Sequence, residues 1–361
     1  MTDRESTGPD ARPLRILEIG GSELFASAVP EQTVFFWTGT KPRGRVQRAF
    51  GPIRMIRSLL QLRRGEFDLL AVHAMQYAPW HPRSILTVLR DWNVLAVRGL
   101  FGIFAWRLVH LFHQVPIVVV DLDDSCRIGR HNFFLLDACK MFFKRELPSD
   151  NWLAFCASGY PNFPGRRWRS SERNRKRVEK LKPISLGVMP PVTEITSPEK
   201  KADIFFAGTI DANSTARSAG VEELRALECE GYIVDFSLQR LPKSQYLQRM
   251  SGAWLSWSPA GLGWDSYRHY EAPLAGSVPL LNYPSIARHC PLRDGEHCLL
   301  YAVEPGGLIG AARSALADKA RLRKMAEAGA AHVRKHHLPR ARAEYITSTV
   351  LGRCLDGTRV D

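Results

Sequence analysis

The sequence predicts an α/β protein of two Rossmann-like domains facing a central cleft. Three observations carry this. Short apolar, β-branched runs, of which Pro116–Val120 is the clearest, alternate with stretches of helical spacing, the rhythm of parallel sheets covered by helices. Several of these runs end in glycine or charged turns, as strands do where they deliver loops to a binding crevice. A Pro-rich and then charged passage, Gly187–Thr193 through Ser197–Lys201, separates two such series. The 361 residues suit two domains. The expected division is 1–190 for a first domain, 191–338 for a second, and 339–361 for a helix crossing back to the first.

In the first half, Leu14–Gly20 reads as a strand entering the turn Gly20-Gly21-Ser22, followed by a strand at Thr33–Trp37. Ile53–Leu62 has helical spacing with a strongly basic opposite face. Phe67–His73 is a third strand. An imidazole at its end can accept a proton from a hydroxyl near neutral pH, and satisfying a nearby backbone group is the competing use of His73. Arg98–His113 is helical in length, either covering the sheet or lying on a membrane surface. Pro116–Val120 leads into Asp121-Leu122-Asp123-Asp124. Asp121 and Asp123 are candidates to orient a sugar hydroxyl or act as general base, with a helix-capping loop as the alternative. The D-x-D spelling is too short to assign a metal, and none is expected.

A helix is expected around Asn132–Cys139. Beyond it an aromatic strand runs into Lys144-Arg145-Glu146, charges suited to neutralising phosphates or to fixing the nearby carboxylates by ion pairing. Trp152–Cys156 reads as a further strand. Residues 166–182 hold nine Lys or Arg and two Glu, which fits a solvated face or contact with an anionic membrane. No zinc spacing or RNA-recognition pattern accompanies them, so no specific nucleic-acid partner is expected.

The second half opens with a strand at Asp203–Ala207, the turn Gly208-Thr209, and a helix beginning after 211–215 that includes Arg217. Backbone N–H groups at such a turn and helix start suit a pyrophosphate, and Arg217 adds a cation. Tyr232–Ser237 and Ala253–Trp257 are strands flanking a helix at Lys243–Met250. Val278–Leu281 and Cys298–Tyr301 are the last strands, and helices are expected at 308–317, 320–336 and 340–353.

The passage Ser266-Tyr267-Arg268-His269-Tyr270-Glu271-Ala272-Pro273-Leu274-Ala275-Gly276-Ser277-Val278-Pro279-Leu280 resembles the nucleotide-sugar-binding segment of GT-B glycosyltransferases. It carries R-x-x-E-x-x-x-x-G-x-x-P in the flavour of the exostosin-like and spore-coat-like bacterial families. Phe205–Thr209 resembles the first strand and loop of the same domain. The resemblance covers mainly 200–335. It implies a metal-independent enzyme, with a nucleotide-diphosphate sugar as donor and no further cofactor. Arg268 would lie near the donor phosphates and Glu271 at the ribose, with Ser266 and Tyr267 beside them. Retaining members often carry another glutamate eight positions before the ribose glutamate, where this chain has Gly263. That departure leaves the stereochemical outcome open.

Composition narrows the setting. A net charge of +14 favours anionic partners or a solubilising surface. Seven scattered cysteines without a CxxC pair fit a reducing cytoplasm rather than a disulfide framework or zinc site. The resemblance implies a nucleotide sugar and a carbohydrate or lipid-linked glycan acceptor as partners, and the charge adds an anionic membrane face. The expected place is the cytoplasm, peripheral to the inner membrane. A nucleotide-sugar epimerase of the same architecture and a non-catalytic polyanion-binding protein are the alternatives.

Overall fold

The computed structural model describes residues 12–37, 52–75, 114–156, 171–192, 199–210 and 214–360. Two all-parallel sheets organise it. The first contains β1 (Ile16–Gly20), β2 (Thr33–Trp37), β3 (Leu69–His73), β4 (Ile117–Asp121), β5 (Met141–Lys144) and β6 (Leu181–Pro183), in the order β2-β1-β3-β4-β5-β6. The second contains β7 (Ala202–Ala207), β8 (Val234–Ser237), β9 (Ala253–Trp257), β10 (Val278–Asn282) and β11 (Leu299–Tyr301), in the order β11-β10-β9-β7-β8. Numbered within each sheet, both place the first strand between the second and third. Each order therefore reverses beside its first strand, and the crevice at that reversal is where open parallel sheets take ligands.

Ten helices are described: α1 (Phe25–Ala28), α2 (Pro52–Arg63), α3 (Phe133–Ala138), α4 (Glu172–Glu179), α5 (Thr215–Cys229), α6 (Lys243–Ser251), α7 (Tyr267–Leu274), α8 (Gly307–Leu316), α9 (Lys319–His336) and α10 (Pro339–Leu351). Central strands β1, β3, β4 and β10 are buried along their whole length, which explains why they read as continuous apolar runs rather than alternating ones. Apolar residues pack on both faces of each sheet. α10 starts with Pro339 at its first turn, and its Ala343, Ile346 and Val350 pack with Leu14, Ile16 and Phe25 on the first sheet. The chain thus returns to its first sheet after completing the second.

Two sequence expectations change. Trp152–Cys156 is not a strand: Asn151–Phe155 forms a 3₁₀ turn, begun by the Asp150 carboxylate accepting the Trp152 N–H at 3.0 Å. That local bond competes with an extended backbone. The sixth strand lies instead at Leu181–Pro183, inside the basic stretch, where only Leu181 is buried. Residues 172–179 of that stretch form α4, begun by Ser171 accepting the Asn174 N–H. Arg173 and Arg177 of α4 pair with Asp137 rather than standing free. The helix expected at 98–113, residues 166–170 and residues 211–213 lie outside the described residues.

Candidate active site

At the reversal in the second sheet, β7 ends at Ala207 and the chain turns through Gly208 and Thr209. The Arg268 guanidinium reaches this turn from the first turn of α7: its Nη2 donates to the Ala207 carbonyl at 2.6 Å, and it lies over the Phe206 ring at 5.1 Å. A Cβ on Gly208 would stand 3.1 Å from that Nη2, so the glycine lets backbone and guanidinium approach. Nε and Nη1 of Arg268 are buried with no well-aligned hydrogen bond, although the Tyr246 hydroxyl lies near enough to interact with the guanidinium. Buried charged donors left unmade are costly, and an anion between them and the turn would satisfy them.

The neighbouring residues converge on the same place. Ser214 begins α5 by accepting the Arg217 N–H at 3.3 Å, and its hydroxyl donates to the Ala260 carbonyl at 2.6 Å. That ties α5 to the loop after β9. Arg217 Nη1 donates to the Thr209 carbonyl at 2.9 Å, and its guanidinium lies so close over Gly261 that a side chain there would collide with it. Ser266 begins α7, its hydroxyl facing the Arg268 N–H, with Tyr267 partly buried beside it. One turn later Glu271 is buried and ion-paired with Lys243, the first residue of α6. α7 ends at Gly276, whose φ of 72° is the left-handed backbone that glycine adopts without strain. Arg268 and Arg217 thus meet at the Gly208–Thr209 turn, while Ser266 starts the helix that carries Arg268 and Glu271 lies one turn further along it on Lys243.

The first domain's candidates are arranged differently. His73 is buried, and its Nε2 lies 2.8 Å from the Glu18 carboxylate. Glu18, fully buried in β1, also accepts the N–H groups of Leu24, Phe25 and Ala26. Gly20 packs so tightly on the His73 ring that no side chain fits between them. Asp121 and Lys144 stand opposite each other in adjacent strands and pair at 2.9 Å, with Lys144 fully buried. Asp121 further accepts the Asp123 N–H, while partly buried Asp123 accepts the Ser125 N–H.

Lys144 and Arg145 are consequently not placed as phosphate ligands. Lys144 is spent on Asp121. Arg145 pairs with Asp124 at 2.6 Å, lies 3.3 Å from Glu146 and donates to the Asp265 carbonyl across the domain boundary. Their proximity to carboxylates is set by strand register, the ion-pairing use the sequence also allowed.

Four residues that the sequence did not mark as site candidates complete these networks: Glu18, Glu146, Lys243 and Asp265. A carboxylate inside an otherwise apolar strand was the available signal for Glu18. Asp265 is buried, accepting the Leu186 N–H at 2.5 Å and the Tyr270 hydroxyl at 2.6 Å. Burial raises its pKa above the ordinary carboxylate range.

Residues 232–348, which span α6, β9, α7 and β10, match the family model described as glycosyl transferase-like. The chain has the GT-B fold of two parallel-sheet domains, and its second domain carries the glycosyl transferase-like segment. Among solved structures, sucrose-phosphate synthase from Thermosynechococcus elongatus is similar at 12% identity and a TM-score of 0.50, covering 93% of this chain and 98% of that one. The apo form of the lipopolysaccharide outer core galactosyltransferase WaaB is similar at 8% identity and a TM-score of 0.52, covering 94% and 99%. No curated protein matches the sequence. The family match includes Arg268, Glu271 and Lys243 but stops short of the Gly208 turn and Arg217.

Proposed function

We propose that the enzyme transfers a sugar from a nucleotide-diphosphate donor, bound at the reversal of the second sheet, to a carbohydrate or lipid-linked glycan acceptor. The observation that carries this is Arg268, which reaches the Gly208 turn through Nη2 while its Nε and Nη1 stay buried without a well-aligned hydrogen bond. Arg268 and Arg217 take the diphosphate beside the Gly208–Thr209 turn, whose Gly208 N–H itself donates to the Ser237 carbonyl at 3.0 Å. Glu271, with Ser266 and Tyr267, takes the nucleoside side, the Glu271–Lys243 pair opening to ribose hydroxyls.

In the reaction the bond from the anomeric carbon to the diphosphate oxygen breaks, and its electron pair leaves with the nucleoside diphosphate. Arg268 stabilises that growing charge in a site prepared beforehand. The acceptor oxygen bonds to the anomeric carbon and its proton passes to a carboxylate of the first domain. Asp121 and His73 are each held by a buried partner, so Asp123 is the base we propose. Asp124 supports that placement: its carbonyl lies 3.2 Å from where a Gly263 Cβ would stand, so the acidic loop abuts the loop before Arg268. The working division remains 1–190, 191–338 and 339–361, with the acceptor on the first part.

Contact with an anionic membrane surface is the second part of this reading. α2 leaves Ile53, Ile56 and Leu60 exposed at helical spacing among Arg54, Arg57 and Arg63. Among the described residues no helix is long and apolar enough to cross a membrane. Co-sedimentation with vesicles containing phosphatidylglycerol, lost in Ile56→Asp, tests it.

The central experiment is a thermal-shift screen of nucleotide sugars followed by donor-hydrolysis and acceptor assays. Stabilisation by one donor, lost in Arg268→Ala, is expected. Turnover to an isomerised nucleotide sugar without acceptor would instead indicate an epimerase, and tight polyanion binding without any donor effect a binding protein.

A further inference from the structure

The end of β5 carries three consecutive charged residues, all buried. Lys144 stays within its sheet on Asp121. Arg145 and Glu146 reach the other domain. Glu146 accepts the N–H of Trp264 and of Asp265, both at 2.9 Å, while Arg145 donates to the Asp265 carbonyl. Gly263 lies so close that a Cβ there would stand 2.6 Å from Glu146 Oε1. The segment gripped in this way, 263–265, leads directly into Ser266, the residue that begins α7 and so fixes where Arg268 and Glu271 point.

We propose that Glu146 is a positioning residue for donor binding, supplied by the first domain to hold the second domain's 263–265 loop. This rests on the reading of the Gly208–Arg268–Glu271 crevice as the donor site. The geometry supports a positional role in three ways. A carboxylate bridging two successive backbone N–H groups fixes both the place and the tilt of the loop. The grip crosses between domains, so the donor crevice is completed only when the two sheets are apposed. The glycine at 263 is required by the carboxylate itself, which fills the volume a side chain would occupy.

Proton binding at Glu146 works against this grip. Burial raises its pKa to about 7, against the lowering effects of Arg145 and of the Trp264 and Asp265 N–H groups, while Asp265 raises it. Facing it are Arg145, which comes from its own strand end and also pairs with Asp124; Cys126 from the loop after β4; and Asp265 from the second domain. The two N–H bonds favour the ionised form, so a proton taken up below about pH 7 removes an acceptor from the loop.

The test compares full-length wild type, Glu146→Gln and Gly263→Ala with Arg268→Ala as the donor-site reference. UDP-glucose and GDP-mannose serve as donor probes, with whichever the wild type turns over used throughout. Gln keeps the shape but turns an amide N–H toward a backbone N–H. Donor KM is expected to rise about tenfold or more in Glu146→Gln, with kcat changed far less. Gly263→Ala, which pushes on the same carboxylate, should do the same. Wild-type donor KM should rise as pH falls through about 7 and the Glu146→Gln profile should be flat there. Hydrogen exchange at the Trp264 and Asp265 amides should quicken in the donor-free variant.

Unchanged donor KM in Glu146→Gln, with Arg268→Ala impaired, would overturn the proposal and leave the donor site standing. A loss carried by the melting temperature, with an unaltered pH profile, would overturn it equally. An Arg268→Ala enzyme with wild-type donor kinetics would instead sink the donor-site reading, and with it the role given to Glu146.

Discussion

The two sheets share one strand order, yet their reversal points are finished in opposite ways. In the first sheet the place between β1 and β3 is closed: His73 is locked to Glu18, Glu18 to three backbone N–H groups, and Gly20 lies flat on the imidazole. In the second sheet the place between β7 and β9 is open chemically, with Arg268 holding two buried N–H positions without well-aligned hydrogen bonds. A buried polar network that satisfies itself stabilises the fold and specifies it. One that is left unsatisfied costs stability and waits for a ligand. The same topology thus yields one structural corner and one binding corner, and the difference lies in which polar groups the chain itself answers.

The largest expected effect falls on the open corner. Arg268→Ala should lower donor kcat/KM by about 100-fold or more, in the range seen when a prepared donor to developing charge is removed. Its melting temperature should stay level or rise, because the variant also removes buried N–H groups that lack well-aligned hydrogen bonds. Steady-state kinetics beside calorimetry checks both. A kinetically normal, unstable variant would break the comparison.

The closed corner should respond the other way. Glu18→Ala strands His73 and three amides, and breaking a buried pair on one side costs on the order of 3–5 kcal/mol. Urea unfolding should show this loss, while donor affinity per folded molecule stays close to wild type. Arg217→Ala comes next. It should raise donor KM about tenfold, since Arg217 borders the turn that Arg268 contacts and loses one charge-assisted interaction with the diphosphate. Titration of donor against the variant measures it.

This contrast also explains what could be read in the sequence. Strands such as Pro116–Val120 announce themselves because central parallel strands are apolar on both faces, and Arg268, Glu271 and Gly208 stand out because they share short segments with glycine turns. Pairings across strands do not. Whether Lys144 meets a phosphate or Asp121 depends on the register between β4 and β5, which no local pattern fixes. His73 posed the same problem: its partner, Glu18, lies 55 positions away. Glu146 was visible only as one of three charges after an aromatic run, and its target belongs to the other domain. β6 was hidden by basic residues around its one buried leucine.

The smallest effect concerns acid. His269 and His337 are pushed down to about 3, and His289 to about 4, in each case chiefly by burial. Their folded-state pKa values lie below the ordinary 6.5, so the unfolded chain binds protons that the folded chain refuses. Stability from these groups is fully present above about pH 6.5 and is lost as pH falls toward 4 and 3. Glu146 and Asp265, raised by burial, pull the other way over part of this window, because the folded state takes up their protons first. Burial lowers His297 and His336 as well and raises Glu23, so five histidines against three carboxyls leave a net loss, expected as a melting temperature lower by a few degrees at pH 4.5 than at pH 7. Its location sharpens the comparison. His269 lies in α7 and His337 where the chain turns back between α9 and α10, so hydrogen exchange at pH 4.5 should quicken there before it does in β1 and β3. Earlier loosening of the first sheet would mean that the Glu18–His73 corner, not the open one, is the weaker of the two.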